Sequence, residues 1–217
     1  TVPAMSSAAM LRGVGGERRD GDVVYRDAYT WFPFNESFVA NGGRHLTGED
    51  MRALDAAVGA YNATILKLAR RFNGTSGTPR WVVVDTGGAM DASAWARNGG
   101  RPHAGLPAAL TRVTGPLDAR LPVRTTRDGR LMGGLVSLDG LHPSILGHAV
   151  LADLLLRAMQ EHGDAPADAA IDFAAAAAAD TLWSDPPRIA SVIRFMRKAG
   201  SFATRLPVSS LRVLDHA

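Results

Sequence analysis

Cysteine is absent from the 217 residues. Disulfides, thiolate zinc sites and a cysteine nucleophile are therefore excluded, although the compartment stays open, because many secreted proteins lack disulfides. Charge of one sign is also scarce. Twenty-four Lys and Arg, nearly all arginine, oppose 21 Asp and Glu and leave a net +3. A nucleic-acid binder concentrates its bases on one face and interleaves aromatics for stacking. Only the last fifth of this chain is locally basic, so no nucleic-acid partner is expected. No apolar run approaches the roughly 18 residues of a membrane span, and no signal peptide is visible. What remains, 46% hydrophobic and 21% charged residues, is the composition of a globular protein. The length suits one domain, with or without an appendage.

Thr1 to Met5 reads as the tail of a strand. Ser6 to Arg44 reads as a long irregular stretch, with Gly-Gly at 15–16 and 42–43 and an aromatic cluster of Tyr25, Tyr29, Trp31, Phe32, Phe34 and Phe38. A loop of that length is usually functional or packs as a lid. The clearest helix begins at Thr47, where Asp50 three residues later approximates a capping box. Met51, Leu54, Val58, Tyr61, Ile65, Leu68 and Phe72 recur at steps of three and four, one apolar helical face, and Asn73-Gly74 ends it. Trp81-Val82-Val83-Val84 has no polar alternation and suggests a strand buried on both faces of a parallel sheet. Ala89 to Arg130 reads as mostly loop, with a turn at Asp128-Gly129. Leu131 to Leu138 is an apolar run, and Ser144 to Met159 a helix. Residues 165–179 are almost pure alanine helix. Arg188 to Arg205 reads as a basic amphipathic helix that packs on its own domain or touches an anionic membrane surface.

The chemistry concentrates in Leu138-Asp139-Gly140-Leu141-His142-Pro143. A serine nucleophile is weak until a base takes its proton, and histidine titrates in the range that suits the task. A carboxylate bonded to the other ring nitrogen fixes the tautomer. An acid three residues before a base, in one loop locked by Pro143 and anchored by a helix, meets both needs. A tight turn with a helix cap is the other reading of the same residues.

Leu-Asp-Gly-Leu-His-Pro-Ser-x-x-Gly-His, followed by an Ala- and Leu-rich helix, resembles the last motif block of the SGNH (GDSL-type) serine esterase and lipase family. "LTGEDMRALDAAVGAYNATILKLARRF" followed by "WVVVDTGGAMD" is similar to that family's long helix and the strand after it. The resemblance covers about Thr1 to Met159. It implies a three-layer α/β/α fold with a flavodoxin-like parallel sheet in 1–161, truncated at its N-terminus; the change of composition past His162 marks a helical extension in 162–217. It also implies Asp139 as the orienting acid, His142 as the general base, an ester substrate and a secreted or periplasmic location; the aromatic stretch from Tyr25 to Phe38 points to an apolar acyl group, and no cofactor or metal is expected. The family's Gly-Asp-Ser nucleophile block and Gly-x-Asn-Asp oxyanion block do not occur in this sequence. The expectation is therefore the C-terminal part of a hydrolase, inactive by itself, or a hydrolase-like module kept for binding. Asp85-Thr86-Gly87 also matches the aspartic-peptidase triplet, which needs two such carboxylates. Asp139, His142 and His148 are conceivable metal ligands, but His142 and His148 are six residues apart.

Overall fold

The computed structural model describes residues 1–74, 81–100, 106–115, 117–118, 124–125, 130–187, 195–196 and 198. Its main sheet is antiparallel. β1 (Leu11–Asp20) and β2 (Val23–Trp31) form a hairpin, and β3 (Leu46–Thr47) pairs antiparallel on the other side of β2. A second, two-stranded sheet joins β4 (Arg124–Thr125) to β5 (Leu131–Met132), again antiparallel. Seven helices accompany them among the described residues: α1 (Glu36–Ala40), α2 (Gly48–Asn73), α3 (Thr86–Ser93), α4 (Ala108–Thr114), α5 (Ile145–Glu161), α6 (Phe173–Ala179) and α7 (Thr181–Ser184).

The expected three-layer fold with a parallel, flavodoxin-like sheet is thus overturned. Every strand pair among the described residues is antiparallel. Trp81 to Val84 join no ladder and are not buried on both faces, Trp81 being 62% exposed. Val84 offers its carbonyl to the Thr1 amino group at 3.0 Å. Thr1 to Ala4 join no strand ladder either, and Val2 pairs with a side chain. The Asn62 carboxamide accepts from Val2 N and donates to Val2 O, at 2.8 and 2.7 Å. An apolar β-branched run is compatible with a central strand, but only partner strands make it one.

The stretch expected to be irregular is the hairpin. Gly21 takes a positive φ in its tight turn, and the register shifts between Val14 and Glu17. Gly15, at φ +83°, forms a bulge there, and Gly16 N–H donates to Asp27 Oδ2 at 2.6 Å. A bulge moves side chains to the other face and erases the alternation that marks a strand. The aromatics expected in a loop divide accordingly. Tyr25 and Tyr29 are buried against Met51 of α2, while Phe34 and Phe38 stack at 4.1 Å beside Trp31. Ala89 to Arg130, expected to be mostly loop, carries most of α3 and all of α4.

α2 forms as its pattern requires. Thr47 Oγ1 accepts from Asp50 N while Asp50 Oδ2 accepts from Thr47 N, a complete capping box. Its apolar face is a different matter. Met51 is fully buried, but Leu54, Tyr61, Leu68 and Phe72 are exposed, Phe72 by 65%. The largest core lies elsewhere. Leu146 and Val150 of α5 pack with Leu110, Leu117, Leu135, Phe173 and Ala177. Asp180, itself buried, accepts from Leu146 N at 2.9 Å and from Leu182 N at 3.0 Å, satisfying donors at the starts of α5 and α7. The Ala-rich segment therefore shares a core with α5. The basic amphipathic segment from Arg188 and the Asp128-Gly129 turn lie outside the described residues, apart from Phe195, Met196 and Lys198. No helix among the described residues is long and apolar enough to cross a membrane.

Candidate active site

The loop between Leu135 and α5 is closed at its neck. Val136 and Pro143 form an isolated antiparallel bridge, and Ser137 N–H donates to His142 O at 2.8 Å. Ser144 then starts α5. Its N–H donates to Leu135 O, its Oγ donates to Gly134 O, and the same Oγ accepts from Gly147 N. Within the loop, Gly140 N–H donates to Ser137 O, and Gly140 sits at φ +74°. Gly140 O accepts from Met10 N at 3.0 Å, tying the loop to the chain entering β1.

Asp139 organises this turn. Its Oδ1 accepts from Ser137 Oγ (2.7 Å), Leu141 N (2.9 Å) and His142 N (2.9 Å). Its Oδ2 lies 2.6 Å from His142 Nδ1. The two expected site residues are thus brought together in the expected order, acid to Nδ1. With the Nδ1 proton donated to the carboxylate, the Nε2 lone pair is left to take a proton. The imidazole is 72% exposed and the carboxylate 49%, and no described residue hydrogen-bonds to Nε2. Ser137 was missed by sequence reasoning. Its hydroxyl faces the acid and not the base, so it positions Asp139. The Ser-x-Asp-Gly pattern of a side-chain-stabilised turn was the available signal.

The hydrogen bond from His142, followed by those from Leu141 N and Ser137 Oγ, holds the Asp139 carboxyl far below the usual carboxylate range. A folded value below the unfolded one means that the bonds are fully available above the unfolded value. They are lost as pH falls through the depressed folded value. The Asp139 carboxyl carbon is therefore expected to keep its ionised NMR shift at pH 3, where a free Asp, titrating at about 3.9, is mostly protonated. A titration centred near that ordinary value would show that the loop does not hold the carboxylate.

Gly140 is buried, and a Cβ there would lie 2.8 Å from Met10 Cα and 2.9 Å from Met10 N. Gly140→Ala adds this contact to a left-handed backbone penalty of about 1–2 kcal/mol. Urea unfolding is expected to show at least that loss. The His142 ring resonances should shift in the same variant, because the turn that aims the ring is the part that must move.

Beside the pair lies a shallow groove of about 420 Å³ whose apolar wall is Leu138, Ile145 and Leu182. Leu138 and Ile145 are solvent-exposed there, as is Leu141 at the loop tip. The other candidate residues are used differently. Asp85 caps α3, accepting from Gly88 N at 3.0 Å and Thr1 Oγ1 at 2.5 Å, and among the described residues no carboxylate pairs with it. His148 turns its Nδ1 to Ser144 O at 2.9 Å. Among the described residues no three side chains could hold a metal ion. No protein-family model, curated protein or solved structure matches the chain.

Proposed function

We propose that Asp139 and His142 are the acid–base pair of an ester hydrolase related to the SGNH serine esterases and lipases. The observation that carries this reading is the 2.6 Å contact from Asp139 Oδ2 to His142 Nδ1, with the imidazole 72% exposed and Asp139 bordering an apolar groove. In the reaction, Nε2 takes the proton of a serine hydroxyl as its oxygen attacks the ester carbonyl carbon. The same proton then passes to the leaving alkoxide, and the acyl-serine is released when Nε2 deprotonates a water. The exposed Leu138, Leu141 and Ile145 favour an apolar acyl chain.

The attacking serine has to reach Nε2, and no described residue does. That observation favours a second reading, a hydrolase-like module that binds without turnover. Hydrolysis of p-nitrophenyl acetate and butyrate by the purified chain, against a heat-inactivated control, tests the first. Saturable hydrolysis supports the enzyme. Background rates with both esters mean that no serine of this chain serves Nε2, as the binding module requires.

A further inference from the structure

The wall of the groove beside Asp139 comes from two distant parts of the chain. Leu138 and Ile145 flank the acid–base turn, whereas Leu182 is brought from α7, beyond the stretch that carries the family resemblance. Several contacts fix Leu182 there. The buried Asp180 carboxylate accepts from Leu146 N at 2.9 Å and from Leu182 N at 3.0 Å, which fastens the start of α7 to the start of α5. Leu182 O accepts from Gly133 N at 3.0 Å. Gly133 is buried, and a Cβ there would lie 2.8 Å from Leu182 Cβ, so the chain leaving β5 packs directly on this leucine. Next to it, Trp183 packs against the largest core, and Arg130 pairs with Asp185 at the end of α7. Leu182 is a fixed wall whose side chain is only partly buried.

The chemistry of the lining selects the occupant. The groove has two carboxylates, and both are committed. Asp139 is held by His142 and the turn, and Asp180 by the two helix starts. Among the described residues no cation lines the groove. Two acids without a base disfavour an anion, and carboxylates already bonded leave little for a cation. An uncharged apolar chain is the ligand that loses least on entering such a groove. Ser137 and Asp139 belong both to the groove and to the acid–base turn. A chain lying against Leu182 is therefore continuous with the place where an ester carbonyl would react.

We propose that Leu182 is a specificity-determining residue: with Leu138 and Ile145 it binds the alkyl part of the acyl group, so that α7 selects acyl chains longer than acetyl. The proposal rests on the acid–base reading of Asp139 and His142, but the contact can be measured without turnover. Hexanamide and acetamide, neutral analogues of the acyl half, are titrated into the full chain while the methyl resonances of Leu138, Ile145 and Leu182 are followed. Hexanamide is expected to shift all three saturably, and acetamide none. Its affinity should fall at least fivefold in Leu182→Ala, recover in Leu182→Met, and stay unchanged in Leu155→Ala, an exposed leucine of α5 outside the groove. Ile145→Ser, at an exposed position, should weaken binding in the same way and serves should Leu182→Ala fail to fold. In turnover, Leu182→Ala should lower the ratio of kcat/KM for p-nitrophenyl hexanoate over p-nitrophenyl acetate at least fivefold. Hexanamide binding that depends on Leu182, without ester turnover, supports the apolar-chain site and counts against the acid–base reading alone. Equal binding of the two amides, no saturable binding, unchanged affinity in Leu182→Ala, or an unchanged hexanoate-to-acetate ratio in an active Leu182→Ala variant would overturn the proposal.

Discussion

Wherever the protein hydrolyses an ester, His142→Ala is expected to lower kcat by about 10⁴- to 10⁶-fold. That is the range seen when a triad base is removed and the binding contacts remain. His142 is 72% exposed and supports no core, so the variant should unfold at the same urea concentration as the unaltered chain. The loss would then belong to chemistry and not to folding. Asp139→Asn should cost about 10⁴-fold by a different route. An amide can donate to Nδ1, which reverses the tautomer and buries the Nε2 lone pair under a proton. Imidazole nitrogen shifts read this directly and need no turnover: protonated Nδ1 in the unaltered chain, protonated Nε2 in Asp139→Asn. Turnover within tenfold of the unaltered protein in His142→Ala would remove His142 from the mechanism. An unchanged tautomer in Asp139→Asn would remove the orienting role of Asp139.

The second large effect concerns where the core is. Leu146→Ala is expected to destabilise the fold by about 2–5 kcal/mol, the cost of deleting a fully enclosed leucine side chain and leaving a cavity. Leu146 is 1% exposed, among Leu135, Val150 and Phe173. Phe72→Ala, on the apolar face of α2, is expected to cost less than about 1 kcal/mol, because a ring 65% exposed leaves little contact to lose. Urea midpoints of the two variants, compared at equal slope, test the difference. Equal losses would mean that the face of α2 is covered in solution.

The contrast between these two positions shows what was legible. The helical character of both segments is written in their spacing. The α2 capping box and the Ser144 start of α5 are local chemistry that any fold would keep. The Asp139–His142 pair was legible for the same reason. Acid and base stand three residues apart, Gly140 supplies the positive φ of the turn between them, and Pro143 fixes the backbone just after the base. Ser137, which locks the acid, is equally local and was overlooked.

Burial is not local. The apolar positions of α2 were read as core because amphipathic helices usually bury that face. Whether a face is covered depends on which other element arrives, and of those apolar positions Met51 is the one buried against the hairpin. Trp81 to Val84 shows the same limit for strands, since a run of valines records a preference and a sheet needs hydrogen-bonding neighbours. The hairpin failed in the opposite direction. Its Gly15 bulge hides the alternation, although β1 and β2 pair over nearly their whole length. The sequence by itself determined the caps, the turn and the acid–base contact, because these interactions close within a few residues. The tertiary structure decided sheet topology and burial, because those depend on segments that meet only through long-range packing.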